Sequence, residues 1–225
     1  MNQSYPISNR LDKSEHVYQC LLNEVVSGEL KPEQALVESE LTEKYSVSRT
    51  PIREALKRLA VQGLVDIYPQ VGSFVAPLRL THFLDASFVR YHLELALVRQ
   101  AAKNINEEYR IKLSHNIAMQ KHLLTQGLVD RFYDVDEEFH LLIATIAGRP
   151  NVWHIIEQHK VHLDRVRHYA LRFLRKTPLI VKQHESIAQG VSEGDEEKAV
   201  RAMREHLNSI HESLEKWLME FNTST

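Results

Sequence analysis

Asp136 and His140 stand one helical turn apart in "FYDVDEEFHLLIATIAG", a run whose apolar residues recur at the spacing of a buried helix. Counted from Phe132, the apolar stripe takes Phe139, Ile143, Ile146 and Ala147, and Asp136 and His140 fall on it. A carboxylate and an imidazole therefore face a core. An unpaired buried carboxylate costs roughly several kcal/mol, so a hydrogen-bond partner, a counter-charge or a metal ion must compensate it. Two further histidines share the situation. In "PLIVKQHESIAQGV", His184 lies on a stripe with Ile180, Ile187 and Val191, and in "KAVRAMREHLNSIHESLEKWL", His206 lies with Ala199, Ala202, Ile210 and Trp217. Three neutral imidazoles and a carboxylate suit a divalent first-row metal, zinc or nickel foremost. Each histidine alone also reads as a hydrogen-bonded core residue, and separations of 44 and 22 residues (140 to 184, 184 to 206) match no local zinc motif. An ion with open positions can generate hydroxide for hydrolysis. Hydrolysis needs a general base, and Glu137 and Glu138 flank the ligand stripe without lying on it.

A second pattern lies upstream, in "SVSRTPIREALKRLAVQGL". Ile52, Leu56 and Leu59 form one face of a helix, while Arg49, Arg53 and Lys57 form another. Ser48 or Thr50 caps the helix, and Pro51 falls in its first turn, where a missing N–H costs little. The preceding "VESELTEKYSV" gives a short helix and a tight turn. That spacing lets a second helix enter a DNA major groove with its first residues at base edges, and arginines there bond guanine or phosphate. Spacing alone fits a solvated charged face equally well.

The elements that must carry these residues are nearly all helical: Gly and Pro number only 7 each, and the apolar period is 3.6 over long stretches. Helices are expected at about 14 to 27, 38 to 45 and 49 to 62, followed by two β-type runs, Leu64 to Tyr68 and Ser73 to Ala76, around "PQVG". Three helices and a hairpin make a winged helix-turn-helix. Beyond Pro77, six helices are expected at roughly 80 to 103, 106 to 126, 129 to 147, 151 to 174, 178 to 192 and 195 to 221, broken at "NINEE", "QG", "GRPN", "KTP" and "EGD". The expected fold is mainly α: a winged domain over residues 1–78 and an all-α antiparallel bundle over 79–225.

Composition narrows the function classes. At 225 residues and 43% hydrophobic content the chain has material for two cores. No run of about 18 apolar residues occurs, and "MNQSYPISNR" lacks an apolar export core, so a cytoplasmic protein with no membrane role is expected. Cys20 is the only cysteine, which excludes an intramolecular disulfide and a cysteine zinc site; its apolar neighbours indicate a buried thiol. A net charge of −2 confines any nucleic-acid footprint to a local patch. Of the ten other histidines, His159 and His162 stand out, on a helix expected to border the same pocket.

"VSRTPIREALKRLAVQGLV" followed by "VGSFV" resembles the N-terminal domain of the GntR family of bacterial transcription regulators over residues 14 to 78. By that resemblance Ser48, Arg49, Thr50 and Arg53 touch DNA, and Gly72 lets the wing backbone approach the minor groove. Glu33 and Ser46 stand where the family usually has glycine, which bears on loop geometry and not on groove entry. "DEEFHLLIATIAG", "QHESI" and "AMREHL" resemble the three metal-ligand segments of the FCD effector domain, typical of the family's FadR branch, over roughly residues 80 to 221. The resemblance implies Asp136, His140, His184 and His206 as metal ligands, with positions left for a small carboxylate. Arg90, on a stripe with Phe83, Leu97 and Ala101, is similar to the family's arginine near that pocket; a plain ion pair with Glu94 one turn on is the competing reading. The expected protein is a homodimer binding a palindromic operator, switched by an organic acid. A metal-responsive regulator and a metal-dependent hydrolase are the alternatives.

Overall fold

The computed structural model describes residues 9–170 and 177–224. In chain order it contains α1 (Asn9–Ser27), α2 (Glu38–Tyr45), α3 (Arg49–Val61), β1 (Val65–Tyr68), β2 (Gly72–Val75), α4 (Leu80–Asn104), α5 (Glu107–Thr125), α6 (Val129–Ile146), α7 (Pro150–Ala170), α8 (Thr177–Glu193) and α9 (Glu196–Ser224). The last four residues of the helix expected to end at 174 lie outside the described residues. Contacts divide the chain into two units: one runs to His82 and includes Asp164–Tyr169, the other comprises Phe83–Leu163 and the chain from Ala170. The first therefore ends four residues past the boundary read from sequence and gains a segment of α7. Arg165 explains the gain, donating from Nη2 to the Ala76 carbonyl at 2.5 Å and from Nη1 to that of Pro77 at 3.4 Å. Its burial pulls the guanidinium down to about 10.

In the first unit, Val17, Leu21 and Val25 of α1 share a core with Leu41 of α2 and with Ile52, Ala55, Leu56 and Leu59 of α3, so α3 can bury one face only. The wing pairs Val65 with Val75 and Tyr68 with Gly72, and a bridge from Ala35 to Phe74 ties it to the loop before α2. Ser48 is the N-cap of α3 with extended backbone, but its side chain makes no capping bond, so the cap expected of it is positional only. Cys20 is half-exposed, its Sγ 3.7 Å from His16 Nε2, because its position on α1 lies off the stripe of Val17 and Leu21.

The two residues that replace family glycines both adopt left-handed backbone, Glu33 at φ 64° and Ser46 at φ 53°. Ser46 closes α2, its N–H bonding the Glu43 carbonyl at 3.2 Å. A side chain in that region costs about 1–2 kcal/mol, part of which glycine gives back as unfolded-chain entropy. Ser46→Gly is expected to stabilise the protein by about 0.5–1 kcal/mol, read as a higher urea midpoint.

The second unit is a helical bundle. Its core joins Leu97, Val98 and Ala101 of α4, Leu113 and Ile117 of α5, Phe139 and Ile143 of α6, Trp153 and Ile156 of α7, Ile187 and Val191 of α8, and Met203 and Leu207 of α9. Start and stop signals act as read: Asn106 Oδ1 accepts from the Tyr109 N–H to cap α5, and Asp195 Oδ1 does so from the Lys198 N–H at the start of α9. Helices α8 and α9, which carry His184 and His206, meet at Gly190, where an added Cβ would lie 2.7 Å from the Ala199 nitrogen. Gly190→Ala is expected to force the pair apart at a cost of about 1–3 kcal/mol. Thermal melting checks this. Among the described residues no helix is long and apolar enough to cross a membrane.

Candidate metal centre and nucleic-acid face

The stripe positions read from sequence converge in the bundle. His140 on α6, His184 on α8 and His206 on α9 are buried, and each can place one ring nitrogen within 4.8 Å of the other two. Their rings are held by flat neighbours, Phe139 against His184 at a centroid distance of 4.3 Å and Trp153 against His140 at 5.8 Å. Asp136 is buried beside them, Oδ1 lying 3.7 Å from His184 Nε2.

Hydrogen bonds decide which nitrogen carries each proton. The Val135 carbonyl can only accept, so the Asn116 amide facing it is the NH2 group, at 3.0 Å. Asn116 Oδ1 must then accept from Gln120 Nε2, at 2.7 Å, which leaves Gln120 Oε1 facing His184 Nδ1 at 2.9 Å. His184 is therefore protonated on Nδ1 and carries its lone pair on Nε2. His140 Nδ1 donates to the Glu94 carboxylate, and His206 Nδ1 faces Gln183 Oε1 at 3.2 Å, so that donating to it leaves the His206 lone pair on Nε2. All three lone pairs belong to Nε2. In this tautomer those of His184 and His206 face each other at 3.3 Å.

Two opposed lone pairs in a buried site require a proton or a cation. Burial disfavours the proton: it pushes both histidines well below their ordinary range, and the positive charge of neighbouring Arg90 acts the same way. A divalent cation fits the donor set better, three imidazole nitrogens with a carboxylate alongside, each ring oriented by a second hydrogen bond. Neither flanking glutamate is placed as a hydrolytic base, for Glu137 pairs with Lys160 at 2.9 Å and Glu138 is exposed.

Arg90 and Glu94 of α4 complete the surroundings. They form the ion pair that was the competing reading, Arg90 Nε to Glu94 Oε1 at 2.5 Å, and Arg90 Nη2 also donates to His140 Nε2 at 3.0 Å. Burial raises Glu94, but the His140 Nδ1–H that it accepts from and the charged Arg90 guanidinium prevail and hold its carboxyl down to about 2. Arg90 also lines a cavity of about 400 Å³, whose other walls include Leu84, Phe88, Tyr91, Leu163 and Ile210. From α7 it is Leu163 that contributes; His159 is exposed, and neither it nor His162 lines this cavity. Asn116, Gln120 and Gln183 were missed in the sequence. Asn116 and Gln120 could have been found there, as polar residues on the buried stripe of Leu113, Ile117 and Leu123.

On the first unit, Ser48, Arg49 and Thr50 are exposed at the start of α3, and Gly72 is exposed at the start of β2 with φ 147°, a value that favours glycine. Arg53 is exposed one turn on, and its Nε donates to both carboxylate oxygens of Glu38, at 2.8 and 3.0 Å. That bond draws the Glu38 carboxyl below the usual range. Arg58 is turned the other way, stacked over Tyr18 at 3.7 Å and bonded to Glu15.

A helix-turn-helix with a wing, joined in sequence to a histidine-bearing bundle, defines a class of DNA-binding regulator. Residues 13–75 match the family model of bacterial regulatory proteins, gntR family, and residues 85–209 match that of the FCD domain. The chain belongs to the gntR family, with an FCD domain. It is 31% identical over 214 residues to the HTH-type transcriptional repressor RspR of Escherichia coli (strain K12), covering 95% of this chain and 91% of that protein. It is 35% identical over 220 residues to an uncharacterized HTH-type transcriptional regulator in an unstable DNA locus of Streptomyces ambofaciens, covering 96% and 89%. Among solved structures, E. coli McbR/YncC shares the fold, with a TM-score of 0.75 at 22% identity over 91% of this chain and 98% of that one. The protein is a DNA-binding transcription regulator and not an enzyme, which retires the hydrolase alternative.

Proposed function

We propose that this regulator is a homodimeric, cytoplasmic repressor whose hold on a palindromic operator is controlled by an organic acid bound beside a metal centre. The division of labour follows residues 1–78 and 79–225, one domain for DNA and one for the acid. Ser48, Arg49, Thr50 and Arg53 read or clamp the DNA, with Gly72 bringing the wing backbone close. His140, His184, His206 and Asp136 hold a divalent first-row ion, zinc or nickel, which would lend the site a positive charge and coordination positions for a carboxylate. The observation that carries this reading is the meeting of two Nε2 lone pairs, one from His184 and one from His206, in a buried site.

Arg90, paired with Glu94, lends N–H donors to a cavity that Leu84, Phe88, Leu163 and Ile210 line together with Ser87, His92, Asn208 and His211, which suits a carboxylate with an apolar body. A volume of about 400 Å³ accommodates a molecule of that size. A panel of carboxylates tested by thermal shift on metal-loaded protein checks this, since a ligand of the native state raises its melting temperature by mass action. Phenylacetate or a branched aliphatic acid is expected to raise it and to change operator affinity. A panel in which no acid does either sinks the proposal.

A further inference from the structure

Arg90, Glu94 and His140 form a closed ring. Arg90 Nε donates to one Glu94 oxygen at 2.5 Å, the other oxygen accepts from His140 Nδ1, and Arg90 Nη2 donates to His140 Nε2 at 3.0 Å. The lone pair that Arg90 uses is the one His140 would bring to a three-histidine donor set. An imidazole nitrogen has a single lone pair in the ring plane, so it serves a guanidinium or an ion and never both. Nor can the conflict be relieved by deprotonation, because an arginine keeps its charge in a protein.

We propose that Arg90 competes with the metal ion for His140: it lowers the affinity of the centre, and it must let go of Nε2 for the centre to fill. This rests on reading the histidine cluster as a metal centre. Arg90 stays tethered to Glu94 through Nε, so release changes the partners of its Nη end alone. That end belongs to a side chain lining the cavity of about 400 Å³, where a freed N–H can donate to an anion. Ion and anion are thereby coupled in the same sense. An anion that accepts the released donor favours the filled centre, and by linkage a filled centre favours the anion by an equal factor.

The test is zinc affinity of wild type and Arg90→Gln, measured by competition with a chromophoric chelator. Removing the competitor is expected to tighten zinc binding about ten-fold or more, the factor that a hydrogen bond from a charged donor is worth. A purely structural Arg90 gives the opposite sign, because the variant would loosen His140 and Glu94 and weaken zinc binding. Wild-type protein supplies a second readout that needs no variant. In nitrogen-15 NMR, one equivalent of zinc is expected to shift His140 Nε2 and to remove the exchange protection of the Arg90 Nη2 protons. Equal or weaker zinc binding by folded Arg90→Gln, or Arg90 signals indifferent to zinc that fills the site, overturns the competition and leaves the metal centre standing. Failure of both proteins to bind zinc overturns the two together.

Discussion

Wild-type protein purified without chelator is expected to carry about one equivalent of a divalent first-row metal, and His206→Ala is expected to carry none. Structural zinc sites with four ligands have apparent binding energies of about 10–16 kcal/mol, so the loss of one ligand weakens binding by about 10²–10³-fold. The variant also leaves a void in the buried site and withdraws the ion's charge from beside Asp136, for a stability loss on the order of 3 kcal/mol. Elemental analysis gives the metal content. Melts after prolonged dialysis against chelator separate the two causes: wild type should fall towards the variant, while the variant should not move. Binding of a carboxylate should disappear in His206→Ala while operator binding by "SRTPIREAL" persists, because reading a groove does not use the ion. Acid should act through the same residues. His184 and His206 have folded values well below the unfolded one of about 6.5, so above that pH both states are neutral and nothing changes. Below it the unfolded chain takes up protons that the buried rings refuse, and each ring then costs about 1.4 kcal/mol of stability per pH unit until its folded value is reached. Urea unfolding at pH 7.5 and 5.5 would show that slope.

The Arg49→Ala, Arg53→Ala double variant is expected to bind operator about 10²–10⁴-fold more weakly, taking roughly 1–3 kcal/mol for each arginine that pairs with guanine. Arg53 is engaged by Glu38 in the free protein, which raises the question of whether it is available. It is: an exposed pair is worth about 0.2–1 kcal/mol, less than a bidentate contact to a base returns. Glu38 instead holds the guanidinium at the start of α3, so Glu38→Gln should weaken binding far less than Arg53→Ala does. Gel shifts at two salt concentrations distinguish base from phosphate contacts, because only loss of a phosphate contact reduces the salt slope. Unchanged operator affinity in the double variant sinks the assignment of these arginines to DNA.

The helices were legible because their signals are local. Asn106, Pro150, Asp195 and the glycines after α5, α6 and α8 all act within a turn of where they stand, and boundaries fall within about five residues of those read from apolar period and these breaks. The family and its two domains were legible in "VSRTPIREALKRLAVQGLV" and "DEEFHLLIATIAG". The convergence of His140, His184 and His206 followed from each lying on its helix's buried stripe. What spacing could not supply was anything that depends on which helix faces which. The chain from Val135 through Asn116 and Gln120 to His184 crosses three helices, and the place of residues 164–169 beside β2 rests on one arginine reaching two carbonyls. Cys20 shows the reverse error, for apolar neighbours in sequence do not place a residue on the apolar face.

His184 and His206 have no exposed surface, and Phe139 and Trp153 lie flat against the rings of the centre. An ion held there would leave only when the bundle opens locally, whereas an acid would need only the cavity beside Arg90. The two ligands would then report on different times. The acid would follow the present composition of its surroundings, and the metal would preserve a record of the ions available when the bundle last closed. Two populations of the same protein, made under different metal supply, would answer one dose of acid differently until they were replaced by new synthesis.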